Sequence, residues 1–196
     1  IKMATIKTVE IEKRLEDIQE YKKNILQEDE ELVIYWDTET EGLAYNMLEW
    51  EKDKLKVPGR SKELDKIVEF GAVFAKRTKD GRIEEIPELS LRIFFDPNKD
   101  RPKSKKRYYK TEPAPYGQEN VYEAIHGISN EVLEGKESIK NTEDILEHPA
   151  TSIHHKLQDN KTTILNVLVD ILNEGKEIKA HNSAFDMGML NAAIKD

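Results

Sequence analysis

The chain has 196 residues, 37% of them hydrophobic, enough for a domain with its own core, which excludes a mini-protein that depends on staples. Its 39 acidic against 31 basic side chains give a formal charge of −8, which excludes coating of nucleic acid by bulk attraction, and the lack of cysteine excludes disulfides, zinc-thiolate sites and thiol nucleophiles. No apolar run approaches the ~20 residues that cross a bilayer, and alternating charges stand where a signal peptide would be apolar, so a soluble cytoplasmic protein with no membrane partner is expected.

Residues 1–30 are dense in Lys and Glu, with Ile11, Leu15, Ile18, Tyr21 and Ile25 recurring at helical steps. This predicts a charged amphipathic helix as a first segment. Its stripe is short and broken at Lys22, so docking on its own domain is expected over a coiled coil. The unbroken run Leu32 to Trp36 predicts a strand buried on both faces and ending at Asp37. Residues 44 to 66, with Pro58-Gly59, read as an insertion. Ile67 to Phe74 predicts a second strand and Leu89 to Phe95 a third, and the Asp80-Gly81 turn signal between them predicts an antiparallel hairpin.

After Asp96-Pro97 comes a basic segment with Lys99, Arg101, Lys103, Lys105, Lys106, Arg107 and Lys110 around Tyr108-Tyr109, in which no core residue is expected. A helical region with an irregular insertion is predicted from Asn130 to Gln158, and an amphipathic helix from Thr162 to Leu172, stopped near Gly175. Ile178 to Ala180 predicts a short fourth strand and Ala184 to about Ile194 a last helix. This order suits an α/β fold, a mixed sheet flanked by helices, in which ligands gather at the carboxyl ends of parallel strands.

Asp37 and Glu39 are two residues apart, so in extended geometry their carboxylates leave one face. Asp186 is expected in the first turn of the last helix. If the first and fourth strands are neighbours, three oxygen donors converge, a set that suits magnesium or manganese. By itself, Asp-x-Glu is more often a solvated turn and Asp186 more often a helix cap.

The combination Trp36-Asp37-Thr38-Glu39-Thr40-Glu41-Gly42-Leu43, then Ile67 to Val73, then His126-Gly127-Ile128-Ser129, then His181-Asn182-Ser183-Ala184-Phe185-Asp186 through Leu190 closely resembles the DEDD superfamily of 3'-5' exonucleases. It looks most like the DnaQ-like branch, which contains the proofreading subunit of a bacterial replicative polymerase. The resemblance covers about Val33 to Leu190. It implies a ribonuclease H-like sheet, with residues 31–196 as the exonuclease domain, and a mechanism using two Mg2+ or Mn2+ ions. In it, the residue matching Asp37 bridges both ions, that matching Glu39 helps hold the ion carrying the attacking water, and that matching Asp186 holds the second.

The resemblance further implies substrate contacts at Thr38, Thr40, Gly42 and Leu43, at His126 and Ile128, and at Asn182 and Phe185. His181 and Asn182 are also expected to hold the strand-to-helix turn, and Phe185 to pack in the core. Glu69 reads equally as an acid reaching the site or as a buried acid bonded to backbone. The family's third motif, a histidine or tyrosine followed by a last aspartate, has no counterpart after Asp186, nor do the family's last strand and closing helices. His154 and Asp159 reproduce the motif's spacing but precede the fourth strand, so they read as loop residues. The retained Asp37, Glu39 and Asp186 favour the front part of a longer nuclease over a degenerate binding module.

The expected substrate is a single-stranded DNA or RNA 3' end, with a polymerase subunit as a further partner. Lys103, Lys105, Lys106, Arg107 and Tyr108 are the candidates for contact with the nucleic-acid backbone, combining phosphate neutralisation with base stacking. The alternative function is a nuclease-like module that binds single strands or a polymerase without cutting.

Overall fold

The apolar run at Leu32 to Ile34 has no exposed side chain, and the sheet is built around it. A computed structural model describes residues 10–42, 65–107, 109, 126–139, 142 and 144–195. The described elements are α1 (Ile11–Asn24), β1 (Glu31–Thr40), β2 (Ile67–Arg77), β3 (Ile83–Glu85), β4 (Leu91–Phe94), α2 (Asn130–Leu133), α3 (Ile164–Asn173), β5 (Glu177–Lys179) and α4 (Ser183–Lys195). The fold is α/β, a mixed five-stranded sheet with helices, in the order β3-β2-β1-β5 and with β4 also paired to β2. Among the described residues no helix is long and apolar enough to cross a membrane.

The chain divides into two compact units interleaved in sequence: Ile1–Thr38, Phe70–Ile93 and Ile153–Ser183 form the first, and Glu39–Glu69, Phe94–Ser152 and Ala184–Asp196 the second. In the first unit β5 runs parallel to β1, with Val33 opposite Glu177 and Tyr35 opposite Lys179. Arg77, at the end of β2, bonds both Glu31 of β1 and Glu177 of β5, a charge clip across the strand ends. The apolar stripe of α1 docks as expected, burying Ile11, Ile18 and Tyr21, and α1 packs on α3. Lys22, the break in that stripe, donates to the carbonyl and carboxylate of Glu174 at 2.8 and 2.9 Å. Helix α3 begins at a capping box in which Thr163 and Asn166 satisfy each other's backbone N–H groups.

The second unit has its own apolar cluster, which includes Val68, Phe94, Tyr109, Ile128, Val132, Leu133 and Leu146. Its backbone is stitched by Phe95 N–H to Val68 O at 2.8 Å and Ala150 N–H to Leu133 O at 2.6 Å. Ser129 caps the single-turn helix α2 by accepting from the Val132 N–H.

Four expectations are corrected. β1 does not stop at Asp37 but runs through Thr40, and it is buried on both faces only up to Ile34. Beyond that point the polar residues keep the extended backbone because the alternate residues Trp36, Thr38 and Thr40 are still buried. The Asp80-Gly81 turn, with Gly81 at φ +84, joins β2 to the short β3, and β4 follows after a turn at Pro87–Leu89. The stretch from Asn130 to Gln158 holds only the one helical turn α2 among its described residues; Gly135 at φ +74 ends it in a left-handed conformation. Finally, the basic segment does supply core, since Tyr109 is buried and so is Arg101. The expected insertion at 44 to 66 lies outside the described residues up to position 64.

Because Ile18 is fully buried, Ile18→Ala is expected to lower the unfolding free energy by about 2–5 kcal/mol in a urea titration. A loss below about 1 kcal/mol would show that α1 is not integral to the first unit.

Candidate functional site

The end of β1 is a two-faced strand. Tyr35 and Asp37 are exposed and Glu39 half-buried on one face, while Trp36, Thr38 and Thr40 are buried on the other. The carboxylates of Asp37 and Glu39 therefore leave the same face, as their spacing predicts. Trp36 stacks on Phe70 with ring centroids 5.7 Å apart, which fixes the buried face against β2. The first and last strands expected from sequence are neighbours, because β5 pairs with β1 in parallel. Their carboxyl ends thus lie at one end of the sheet.

Four residues after β5 the chain enters α4. Asp186 sits in its first turn with a side chain 1% exposed, beside the buried Met189 and Leu190. His181 and Asn182 are exposed in the connection, and Phe185 is half-buried instead of packed in the core. By unit, Asp37, Thr38, His181 and Asn182 belong to the first, and Glu39, Thr40, Gly42, His126, Ile128, Phe185 and Asp186 to the second. Leu43 and Tyr108 lie outside the described residues, as does the side chain of Lys105. Glu69 is buried within β2.

Glu41 is the residue that sequence reasoning passed over. Its carboxylate is fully buried and accepts from Arg101 through both guanidinium ends, Nη1 to Oε1 and Nη2 to Oε2. The Tyr109 hydroxyl donates to Oε1, the Lys66 N–H to Oε2 at 3.0 Å, and Arg107 Nη1 to Oε2 at 3.3 Å. Burial, and then the Glu41 charge, hold the Tyr109 phenol far above its ordinary range, so it stays a proton donor. Arg107 also bonds Asp65 Oδ1 at 2.5 Å. Asp65 in turn sits where a side chain at position 42 would be: a Cβ there would approach Asp65 Oδ2 to 2.4 Å. Gly42 is needed for that close approach, whatever else it touches.

A signal for this network was present in the sequence. Arg101 and Arg107 stand among lysines, and a planar two-pronged donor is the side chain suited to a buried carboxylate. What was missing was any way to tell which of the many acids it served.

His126 accepts the Ile128 N–H on Nδ1 at 3.0 Å, a local bond that orders the turn. Its Nε2 is buried without a hydrogen-bond partner among the described residues, and burial pushes its pKa down to about 4. His154 is half-buried, His155 exposed, and Asp159 accepts from Lys161 and Thr162 in a tight turn, so neither the histidine pair nor the His154–Asp159 spacing marks more than a loop.

The hard oxygen donors Asp37, Glu39 and Asp186 suit magnesium or manganese in kind. Among the described residues no group of three or more His, Cys, Asp or Glu side chains is found within reach of one metal ion. Compared with known proteins, the chain matches no protein-family model and no curated protein sequence.

Two outcomes are expected from these contacts. Glu41→Gln strands the buried Arg101 charge and should cost about 3–5 kcal/mol of unfolding free energy by urea titration, with Arg101→Met costing a similar amount and the double variant less than the sum. Full additivity would show that the two side chains do not act as a pair. The second outcome concerns acid. His126 titrates near 4 when folded against about 6.5 when unfolded, so the unfolded chain takes up the proton first as pH falls. Stability should therefore be full above pH ~6.5 and decline through the window down to about 4, and His126→Asn, which keeps an acceptor for Ile128, should flatten that decline in thermal melts.

Proposed function

We propose that the chain is a metal-dependent 3'-5' exonuclease that hydrolyses phosphodiester bonds at the 3' ends of DNA, with RNA as the alternative substrate. The observation that carries the reading is the placement of Asp37 and Glu39 on one face at the carboxyl end of β1, with the parallel neighbour β5 leading directly into the turn that bears the buried Asp186. The four-segment resemblance to the DnaQ-like exonucleases, with its ribonuclease H-like architecture, supports it.

In this reading Asp37, Glu39 and Asp186 hold two Mg2+ or Mn2+ ions, whose chemistry when bound is to activate water and to stabilise the leaving oxygen. The chain's own groups do the rest. Asn182, His126 and Phe185 are the proposed contacts to the terminal nucleotide, whereas Thr38 and Thr40, buried on the face of β1 away from the acids, and the fully buried Ile128 serve packing. The buried face of β1 keeps the carboxylate face from turning, so the acids are presented before substrate arrives. A polymerase subunit is the proposed partner and the cytoplasm the proposed location.

The second reading is a module that binds single strands or a polymerase without cutting.

Digestion of a 5'-labelled single-stranded oligodeoxynucleotide, with magnesium, manganese or chelator, separates the two. The exonuclease should give a metal-dependent ladder shortening from the 3' end, reduced by at least about 10³-fold in Asp37→Ala. Manganese calorimetry on the same pair should show binding that the variant loses. A folded chain that neither cleaves nor binds manganese overturns the enzymatic reading in favour of the module.

A further inference from the structure

The basic segment divides into two kinds of cation. Arg101 and Arg107 are turned inward, onto Glu41 and Asp65. Lys99, Lys103 and Lys106 are exposed, and none of them forms an ion pair among the described residues. Burial raises the Asp96 carboxyl, and the fields of Lys99 and Lys106 oppose that rise, so both ammonium groups act on the same small region.

The backbone carrying these lysines is closed and pinned. Asn98 pairs with Arg107 in both directions, Nδ2 to the carbonyl at 2.5 Å and Oδ1 from the N–H at 2.8 Å, which closes the loop at its neck. The Asp96 side chain caps the turn at Pro97–Lys99 by accepting from the Asn98 N–H. A second single turn, Lys103–Lys105, follows. The Ser152 hydroxyl donates to Asp100, which occupies the loop's own acid. A chain of net charge −8 thus displays, on one pre-ordered loop, a set of lysines beside which the described acids Asp96 and Asp100 already accept hydrogen bonds.

We infer that loop 98–107 is a preformed grip for the phosphate backbone of single-stranded nucleic acid, in which Lys99, Lys103 and Lys106 make the contacts while Arg101 and Arg107 hold the loop's shape. Lysine is a point charge without a fixed fork, so it neutralises phosphate without selecting a base or an orientation. Because the loop is closed beforehand, binding orders only the lysine side chains. The choice of nucleic acid over an acidic protein rests on the exonuclease reading above. It also removes Arg107 from the expected phosphate contacts and adds Lys99.

The test is fluorescence anisotropy of a 5'-fluorescein oligodeoxythymidylate in chelator, titrated at several salt concentrations, with the intact chain and with Lys99→Gln/Lys103→Gln/Lys106→Gln. All three positions are exposed, and a thermal melt checks that the variant folds. The variant should bind at least about tenfold more weakly at low salt, and its log–log salt slope should be shallower by about 2, from three phosphate contacts at ~0.7 each. A control, Lys23→Gln/Lys161→Gln, should keep the parent slope. Equal affinity and slope for parent and triple variant overturn the inference, as does equal competition by polyglutamate and by unlabelled oligonucleotide. Since chelator removes cleavage from the measurement, an inactive chain that still loses slope on lysine replacement overturns the exonuclease reading and leaves the grip standing.

Discussion

One buried carboxylate constrains most of the second unit. Glu41 has no exposure to water, and an ionised group in that position is tolerable only when its oxygens are surrounded by donors. Arg101, Arg107, Tyr109 and the Lys66 N–H supply them, and each comes from a segment distant in sequence from β1 or just before β2. The chain after β4 must therefore fold back over the end of β1. The gain is in specificity of arrangement more than in net energy, because desolvating Glu41 and Arg101 offsets much of their attraction.

That constraint explains how a charged segment can contain core. Tyr109 brings its ring into the apolar cluster with Val68, Phe94 and Ile128 while its hydroxyl reaches Glu41. The polar end makes burial of the apolar body possible, since a buried phenol without a partner would be costly. Arg101 and Arg107 are turned onto Glu41 and Asp65, and Lys103 and Lys106 between them are left to solvent. Two residue types that composition counts alike thus end with opposite roles.

The first unit depends on more familiar physics. Leu32, Val33 and Ile34 form the centre of the sheet, α1 and α3 close together beside it, and the Arg77 clip neutralises acids at the strand starts. From Tyr35 onward β1 stays in the sheet but buries one face only, which leaves the other face to Asp37 and Glu39. Gly175, where a Cβ would approach Ile34 to 2.9 Å, lets the turn after α3 lie close to that central strand.

Periodicity alone determined the elements with strong patterns: α1 from its stripe, β1 and β2 from apolar runs, α3 from its spacing and cap, and β5 and α4 within a residue or so. These are decided by neighbours close along the chain, through burial of one face or stripe and through capping. The same local logic placed Asp37 and Glu39 on a common face. Tertiary structure alone decided that β5 lies beside β1, that the Asp-Gly turn serves β3, that the predicted helix after Asn130 ends at once, and that Phe185 stays only half-buried. It also decided that Arg101 and Arg107 meet Glu41 and Asp65 while Lys99, Lys103 and Lys106 face solvent. A charge in a sequence carries no address, and whether it meets water, phosphate or a buried carboxylate depends on which distant segment the fold brings to it, as Glu41 is brought to Arg101 across sixty positions.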